Sequence, residues 1–427
     1  MRIPPLAAMT ALLVSTAAGA QSTPPVQVPY TSQTRPGARS GAGTVNDVAL
    51  WVNPSNPGAS RLITSDQNNG LFLFALDGTE VQAATEGASS SVDVAYGFPA
   101  GGGATQALVL SANPTLTGLV PYVVDSSPDG GGGLTRLAPT AAPLDVGVAY
   151  GTVRLTRGAD GTFQAFGGLS SGGLRQFVLT PTDGGVSATP VRDLNVGTVT
   201  GLVVDQALGA VYVAQQGQGL YRYGVEADGG TTGQQVVPLG DGGLSSVGRL
   251  TLYETSGADG YLVAADPNAN AFVVFDRRTL GRVGSFQVVQ DGGSDGVDLS
   301  RGLVAYPGAL GAAFPEGLFV AHDGLSASTQ GENLKLTSWG NVARAFSPPL
   351  AIAQQVDGGT TGDGGTTGDG GTPRDGGGGV IVDPGDNPGG DGPGTDEGGC
   401  GCSSASVSAS AMLGLLALAL LGRRRRS

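Results

Sequence analysis

One two-strand unit recurs through the chain and restricts it to a few all-β architectures. Leu62-Ile63-Thr64 leads to Gly70-Leu71-Phe72-Leu73-Phe74, and Ala210-Val211-Tyr212-Val213-Ala214 leads to Gly219-Leu220-Tyr221-Arg222-Tyr223. Tyr261-Leu262-Val263-Ala264-Ala265 leads to Ala271-Phe272-Val273-Val274-Phe275. Each copy is an apolar strand, a short polar link and a second, aromatic-rich strand, which is the middle of a four-stranded propeller blade. Further β-rich runs fall at 48–52, 107–110, 120–124, 163–166, 176–179, 201–204, 250–253 and 317–320. Asp77-Gly78, Asp160-Gly161, Asp183-Gly184, Asp228-Gly229 and Asp259-Gly260 punctuate them, and such pairs favour tight hairpin turns. No long stretch carries apolar residues at helical spacing. Residues 25–350 are predicted to form an all-β domain, and propeller periods of ~40–50 residues give about six blades. A pair of β-sandwich domains is the other arrangement this pattern allows.

The two ends read as addresses rather than as parts of the domain. Met1-Arg2, an apolar stretch over 6–17 and Ala18-Gly19-Ala20 before Gln21 make a secretory signal peptide over 1–20. Residues 357–399 are a Gly/Asp/Pro/Thr tract too poor in apolar side chains to fold, and are predicted to be a disordered stalk. Cys400-Gly401-Cys402 follows, then an apolar run over 405–422, then Arg423, Arg424, Arg425 and Arg426. A greasy helix closed by positive charge inserts with the charge on the cytoplasmic side, and this run is near the lower limit of ~17–25 residues for a span. The order of these parts resembles the carboxy-terminal sorting signal of myxobacterial surface proteins, the MYXO-CTERM type; an ordinary tail anchor is the alternative. Both imply export, with the protein held at the cell surface or outer membrane, or released from it.

Composition excludes several chemistries. Both cysteines lie in the tail, so the body has no disulfide and no thiolate metal site. A single histidine, His322, argues against a His-rich zinc site or a Ser-His-Asp triad. The formal charge of −13 and the lack of a basic stripe argue against nucleic acid as a partner. A monomer is expected.

Two stretches of the body resemble the β-propeller phytases. The first is Asn46-Asp47-Val48-Ala49-Leu50-Trp51-Val52-Asn53-Pro54, continuing through Leu62-Ile63-Thr64, Gly70-Leu71 and Leu76-Asp77-Gly78. The second is Ser294-Asp295-Gly296-Val297-Asp298, then Phe314-Pro315-Glu316-Gly317-Leu318-Phe319-Val320-Ala321-His322-Asp323-Gly324, closing on Asn333-Leu334-Lys335-Leu336 and Trp339. Weaker matches lie between them, at 92–99, at Tyr150-Gly151 and at 210–214. The resemblance is collinear over about 44–345 and implies a six-bladed propeller. It also implies a calcium-dependent phosphomonoesterase acting on inositol hexakisphosphate. Calcium takes six to eight oxygen ligands, and bound cations activate water and neutralise the phosphate oxygens. Carried over position by position, the metal ligands would be Asn46, Asp47, Asp93, Tyr150 and Asp295. Asp93 and Asp295 read equally well as turn caps, Tyr150 as a buried aromatic, and Asp298 as structural. No catalytic or substrate-binding residue is assigned.

The sequence departs from that family at charged positions. One acid of the first strand is the amide Asn46. Lysines expected after Thr64 are Gln67 and Asn68, an expected Asn-Arg is Asn113-Pro114, and an expected Gly-Lys is Gly168-Leu169. An expected Glu-Gly is Thr200-Gly201, two acids after Ala214 are Gln215 and Gln216, and an Asp-x-Glu-Gly is Ser246-Val247-Gly248-Arg249. Fewer carboxylates mean weaker calcium binding and fewer ions than in a full family member. The resemblance therefore implies a phosphohydrolase with weakened activity. The alternatives are a non-catalytic, surface-anchored propeller that binds a ligand or protein, or a stalked adhesion module.

Overall fold

A computed structural model describes residues 23–34, 44–100, 105–125, 131–137, 143–240, 243–290, 295–326 and 331–354. The readings of a signal peptide, stalk, Cys400, Cys402 and Arg423–Arg426 fall outside the described residues. The chain begins with β1 (Val26–Pro29) and β2 (Ser32–Gln33), then forms antiparallel sheets in order. The first sheet is β3 (Val45–Trp51), β4 (Arg61–Asp66), β5 (Gly70–Ala75) and β6 (Glu80–Ala84). The second is β7 (Ser91–Pro99), β8 (Thr105–Asn113), β9 (Gly118–Val124) and β10 (Leu134–Arg136). The third is β11 (Tyr150–Arg157), β12 (Phe163–Leu169), β13 (Leu174–Thr182) and β14 (Gly185–Leu194). The fourth is β15 (Val199–Asp205), β16 (Ala210–Gln215), β17 (Gly219–Gly224) and β18 (Gln234–Pro238). The fifth is β19 (Leu250–Glu254), β20 (Gly260–Asp266), β21 (Ala271–Asp276) and β22 (Arg282–Val289). The sixth holds β23 (Leu303–Tyr306), β24 (Leu318–Ser326) and β25 (Gly331–Ser338), and the short helix α1 (Trp339–Ala345) follows.

The sheets are the six blades of a propeller, and the three strand pairs seen in the sequence are the second and third strands of the first, fourth and fifth blades. Each blade buries both faces against its neighbours. Ile63, Leu71 and Leu73 of the first blade pack with Val92, Val109 and Val120 of the second. Corresponding apolar layers fill each later interface and end where Leu62 and Phe72 of the first blade meet Phe314, Leu318 and Val320 of the sixth. An interface between every adjacent pair leaves a closed ring without a free face, which two separate sandwiches would not give.

The two ends of the domain meet to close it. β2 pairs with β25 and supplies the outermost strand of the sixth blade, while β1 lies parallel to β22 on the fifth. Gly78 shows how closely β2 approaches the first blade: a Cβ there would sit 2.1 Å from the Gln33 carbonyl oxygen, at a φ of +86°. Only glycine meets both demands.

Candidate functional site

The innermost strands β3, β7, β11, β15, β19 and β23 face the central channel. The ladder register slips between Val45 and Asp47, between Tyr150 and Thr152, and between Val199 and Gly201. These β-bulges leave Asn46, Gly151 and Thr200 without a partner, and a bulge re-aims the residue it carries. All three line a cavity of about 300 Å³, together with Arg249 and Pro267 of the fifth blade and Ser300 and Arg301 of the sixth. Three of the six blades thus bring the same bulged position of their inner strand to the cavity. Glycine matters at its wall, because a Cβ on Gly201 would lie 2.2 Å from the Gly248 carbonyl oxygen.

Below that ring Asp47 is wholly buried. Its Oδ2 accepts from Ser91 Oγ at 2.5 Å and Arg154 Nη1 at 2.8 Å, and its Oδ1 from Arg154 Nη2 at 3.3 Å and the Val48 N–H at 3.0 Å. Burial alone would raise this carboxyl, but the guanidinium groups of Arg154 and Arg249 outweigh it and hold the group below its ordinary value. Arg154 comes from the third blade and so ties the first blade to it past Ser91 of the second. Asp93 Oδ2 accepts the Leu155 N–H at 2.7 Å. Asp93 keeps some accessible surface, yet protein encloses it deeply, and burial pushes its carboxyl up to about 6 against the pull of Arg154.

Arg249 enters from the fifth blade. Its Nε donates to the Arg301 carbonyl at 2.9 Å, and its Nη2 to the carbonyls of Asn46 at 3.2 Å and Ser90 at 3.3 Å. Its Nη1 is buried without a hydrogen-bond partner, 3.9 Å from Asp47 Oδ2. The Arg301 N–H donates to His322 Nδ1 at 3.2 Å. His322 is fully buried and holds the Arg301 N–H at the cavity wall.

The predicted ligand set is distributed rather than gathered. Asn46 lines the cavity, and its side-chain amide donates to Ser90 O at 2.8 Å. Tyr150 is a buried aromatic, edge-on to Phe177, and its hydroxyl donates to Asp145. Asp295 takes Lys335 Nζ at 3.1 Å, which also stands 3.4 Å from Asp323 Oδ2. Asp298 accepts from Asn270 Nδ2 at 2.6 Å, a structural contact. Among the described residues no three His, Cys, Asp or Glu side chains come together as a metal cluster. In this arrangement the set does not fit a calcium ion, since a guanidinium or an ammonium already lies on Asp47 and on Asp295. The turn residues read as polar links behave so: Asp66 Oδ1 caps the N–H groups of Asn68 and Asn69 at 2.8 and 2.9 Å.

Arg154 and Arg301 were missed by the reading of the sequence, and Arg249 was seen only as a departure. The available signal was Val153-Arg154-Leu155, a cation set within an apolar inner strand.

A closed six-bladed ring with a cavity in its channel defines a β-propeller whose site is shared among several blades. The chain matches the model of the Phytase family over residues 4–361 and belongs to that family. A 3-phytase of Bacillus subtilis (strain 168) is 27% identical over 330 residues, covering 74% of this chain and 85% of that protein. A crystal structure of BBS1N in complex with ARL6DN, soaked with lead, aligns over 68% of this chain and 77% of that chain at 12% identity and a TM-score of 0.40, a likeness too loose to carry any argument.

Proposed function

We propose that the protein is an exported phosphomonoester hydrolase of phytase type, acting at the channel mouth on inositol hexakisphosphate or smaller phosphate esters. The observation that supports this is membership of the family over most of the chain. In the reaction water adds to phosphorus, the ester P–O bond breaks, and the alcohol leaves with a proton. Calcium is the cofactor the family implies, but Asp47 and Asp295 as arranged are taken by Arg154 and Lys335, so no step of the reaction is placed on it. Phytate turnover is expected to be weak, because losing one preorganised electrostatic contact costs about a hundredfold to a thousandfold in rate and several are absent at Gln67, Asn68, Pro114, Leu169 and Gly248. The test is phosphate release from inositol hexakisphosphate by the full chain, with and without calcium. Turnover at the ~1–1000 per second of ordinary enzymes would overturn the weak-activity reading, and no release from any ester would overturn the hydrolase reading.

One observation favours the alternative of a non-catalytic ligand-binding propeller: the oxygens of Asp47 are already taken by Arg154, Ser91 and Val48. We further propose that residues 400–427 hold the protein at the outer surface. Deleting them should release soluble protein into the medium, and retention with the cells would count against an anchor.

A further inference from the structure

The carboxylates that the family resemblance assigns to calcium already carry cations of the chain itself. Asp47 is wholly buried, and Arg154 forks onto it, with Nη1 2.8 Å from Oδ2 and Nη2 3.3 Å from Oδ1. Arg154 is buried as well, and its Nη1 also donates to the Val153 carbonyl at 2.7 Å, which ties the group to its own strand. Arg249 brings a second guanidinium to 3.9 Å from Asp47 Oδ2. Burial works against the charge of Arg154, but the carboxylates of Asp47 and Asp93 together outweigh it and hold the guanidinium above its ordinary value. Two acids thus face two guanidinium groups, and this cluster is neutral as a whole. Asp295 repeats the arrangement. Lys335 Nζ is fully buried, lies 3.1 Å from Asp295 Oδ2 and 3.4 Å from Asp323 Oδ2, and donates to Gln33 Oε1 at 2.6 Å. Calcium affinity follows the charge its ligands bring, and Asn46 brings none, with its amide turned onto the Ser90 carbonyl. An ion entering either cluster would meet a fixed positive charge at contact distance. Displacing that charge would leave it buried without a partner, which is strongly destabilising.

We propose that Arg154, Arg249 and Lys335 are the resident cations of this propeller, and that its folded state takes no calcium on Asp47 or Asp295. This holds whether or not the chain is a hydrolase. The fold is then stable without metal, because each of these carboxylates is neutralised from within the chain.

Thermal melting of the full chain, once in EDTA and once in millimolar calcium, tests this. The two midpoints are expected to agree to within about one degree, whereas an ion held well above its Kd raises the midpoint by roughly several degrees. Arg154→Gln removes one resident cation and leaves Asp47 and Asp93 without it, so in EDTA it should melt roughly several degrees below the parent. Arg154→Lys keeps the charge, and should fold and stay indifferent to calcium; it carries the variant test if Arg154→Gln does not fold. A parent midpoint that calcium raises by several degrees would overturn the proposal. So would an Arg154→Gln variant that melts with the parent in EDTA, or an Arg154→Lys variant whose midpoint calcium raises. Phosphate release is measured beside stability. Calcium-indifferent melting with no release from any ester would support the resident cations and sink the hydrolase reading, and a calcium-raised midpoint with release would do the reverse.

Discussion

Asp47 and Asp93 sit on adjacent inner strands, yet their surroundings drive them in opposite directions. The folded Asp47 carboxyl lies below its ordinary value of 3.8, so its contribution to stability is present above that value and is lost as pH falls through the lower folded one. Asp93 lies at about 6, above its ordinary 3.8, so between those values the folded protein holds a proton that the unfolded chain has released. Stability from Asp93 is therefore full below about 4 and declines as pH rises to about 6. Melting temperature measured across that interval should fall by roughly a few degrees, and Asp93→Asn should flatten the slope. An equal slope in the variant would assign it to another group. Both acids were legible in the sequence, but their partner Arg154 was not. A strand's alternation tells which residues face the channel, and not which of them reaches past a neighbouring blade.

At the scale of strands, the second and third positions of the blades were plain because apolar neighbours cover both faces, as in Leu71–Phe74 of β5 and Ala271–Phe275 of β21. Outer strands were not legible. β6, β14 and β18 are only partly buried, so their sequences carry little apolar pattern. Polar contacts between blades were equally hidden. Arg277, just past β21, is fully buried and grips Asp205 at the end of β15, with Nε to Oδ2 at 2.6 Å and Nη2 to Oδ1 at 2.7 Å. Its Nη1 also donates to the Gly257 carbonyl at 3.0 Å. Removing one partner of a buried pair leaves the other charge uncompensated, at a cost of about 3–5 kcal/mol. Arg277→Met should lower the urea midpoint accordingly, while Arg277→Met with Asp205→Leu should recover much of the loss. A single variant as stable as the parent would mean that this clamp contributes nothing net.

The ring as a whole is closed by residues that sequence patterns could not place. β1 and β2 are too short to signal a strand, yet β1 adds a fifth strand to the fifth blade and β2 completes the sixth. Side chains reinforce the closure. Lys335 Nζ, fully buried on β25, donates to Gln33 Oε1 at 2.6 Å and lies 4.7 Å from the centre of the Tyr30 ring. Val28 is buried with Phe286, Val288 and Trp339 where the fifth and sixth blades meet. Without 23–34, β25 would become an unpaired edge, and the Lys335 ammonium would lose the Gln33 oxygen and the Tyr30 ring. An exposed edge strand is a template for aggregation, and the Lys335 ammonium, although it keeps Asp295 and Asp323, would lose part of the shell that satisfies its donors. A chain starting at residue 35 should therefore be recovered mostly as aggregate, or unfold at markedly lower urea than one starting at residue 23. The comparison isolates the two strands, because both chains lack residues 1–22. Equal urea midpoints would show that the other contacts between the first and sixth blades hold the ring shut without them.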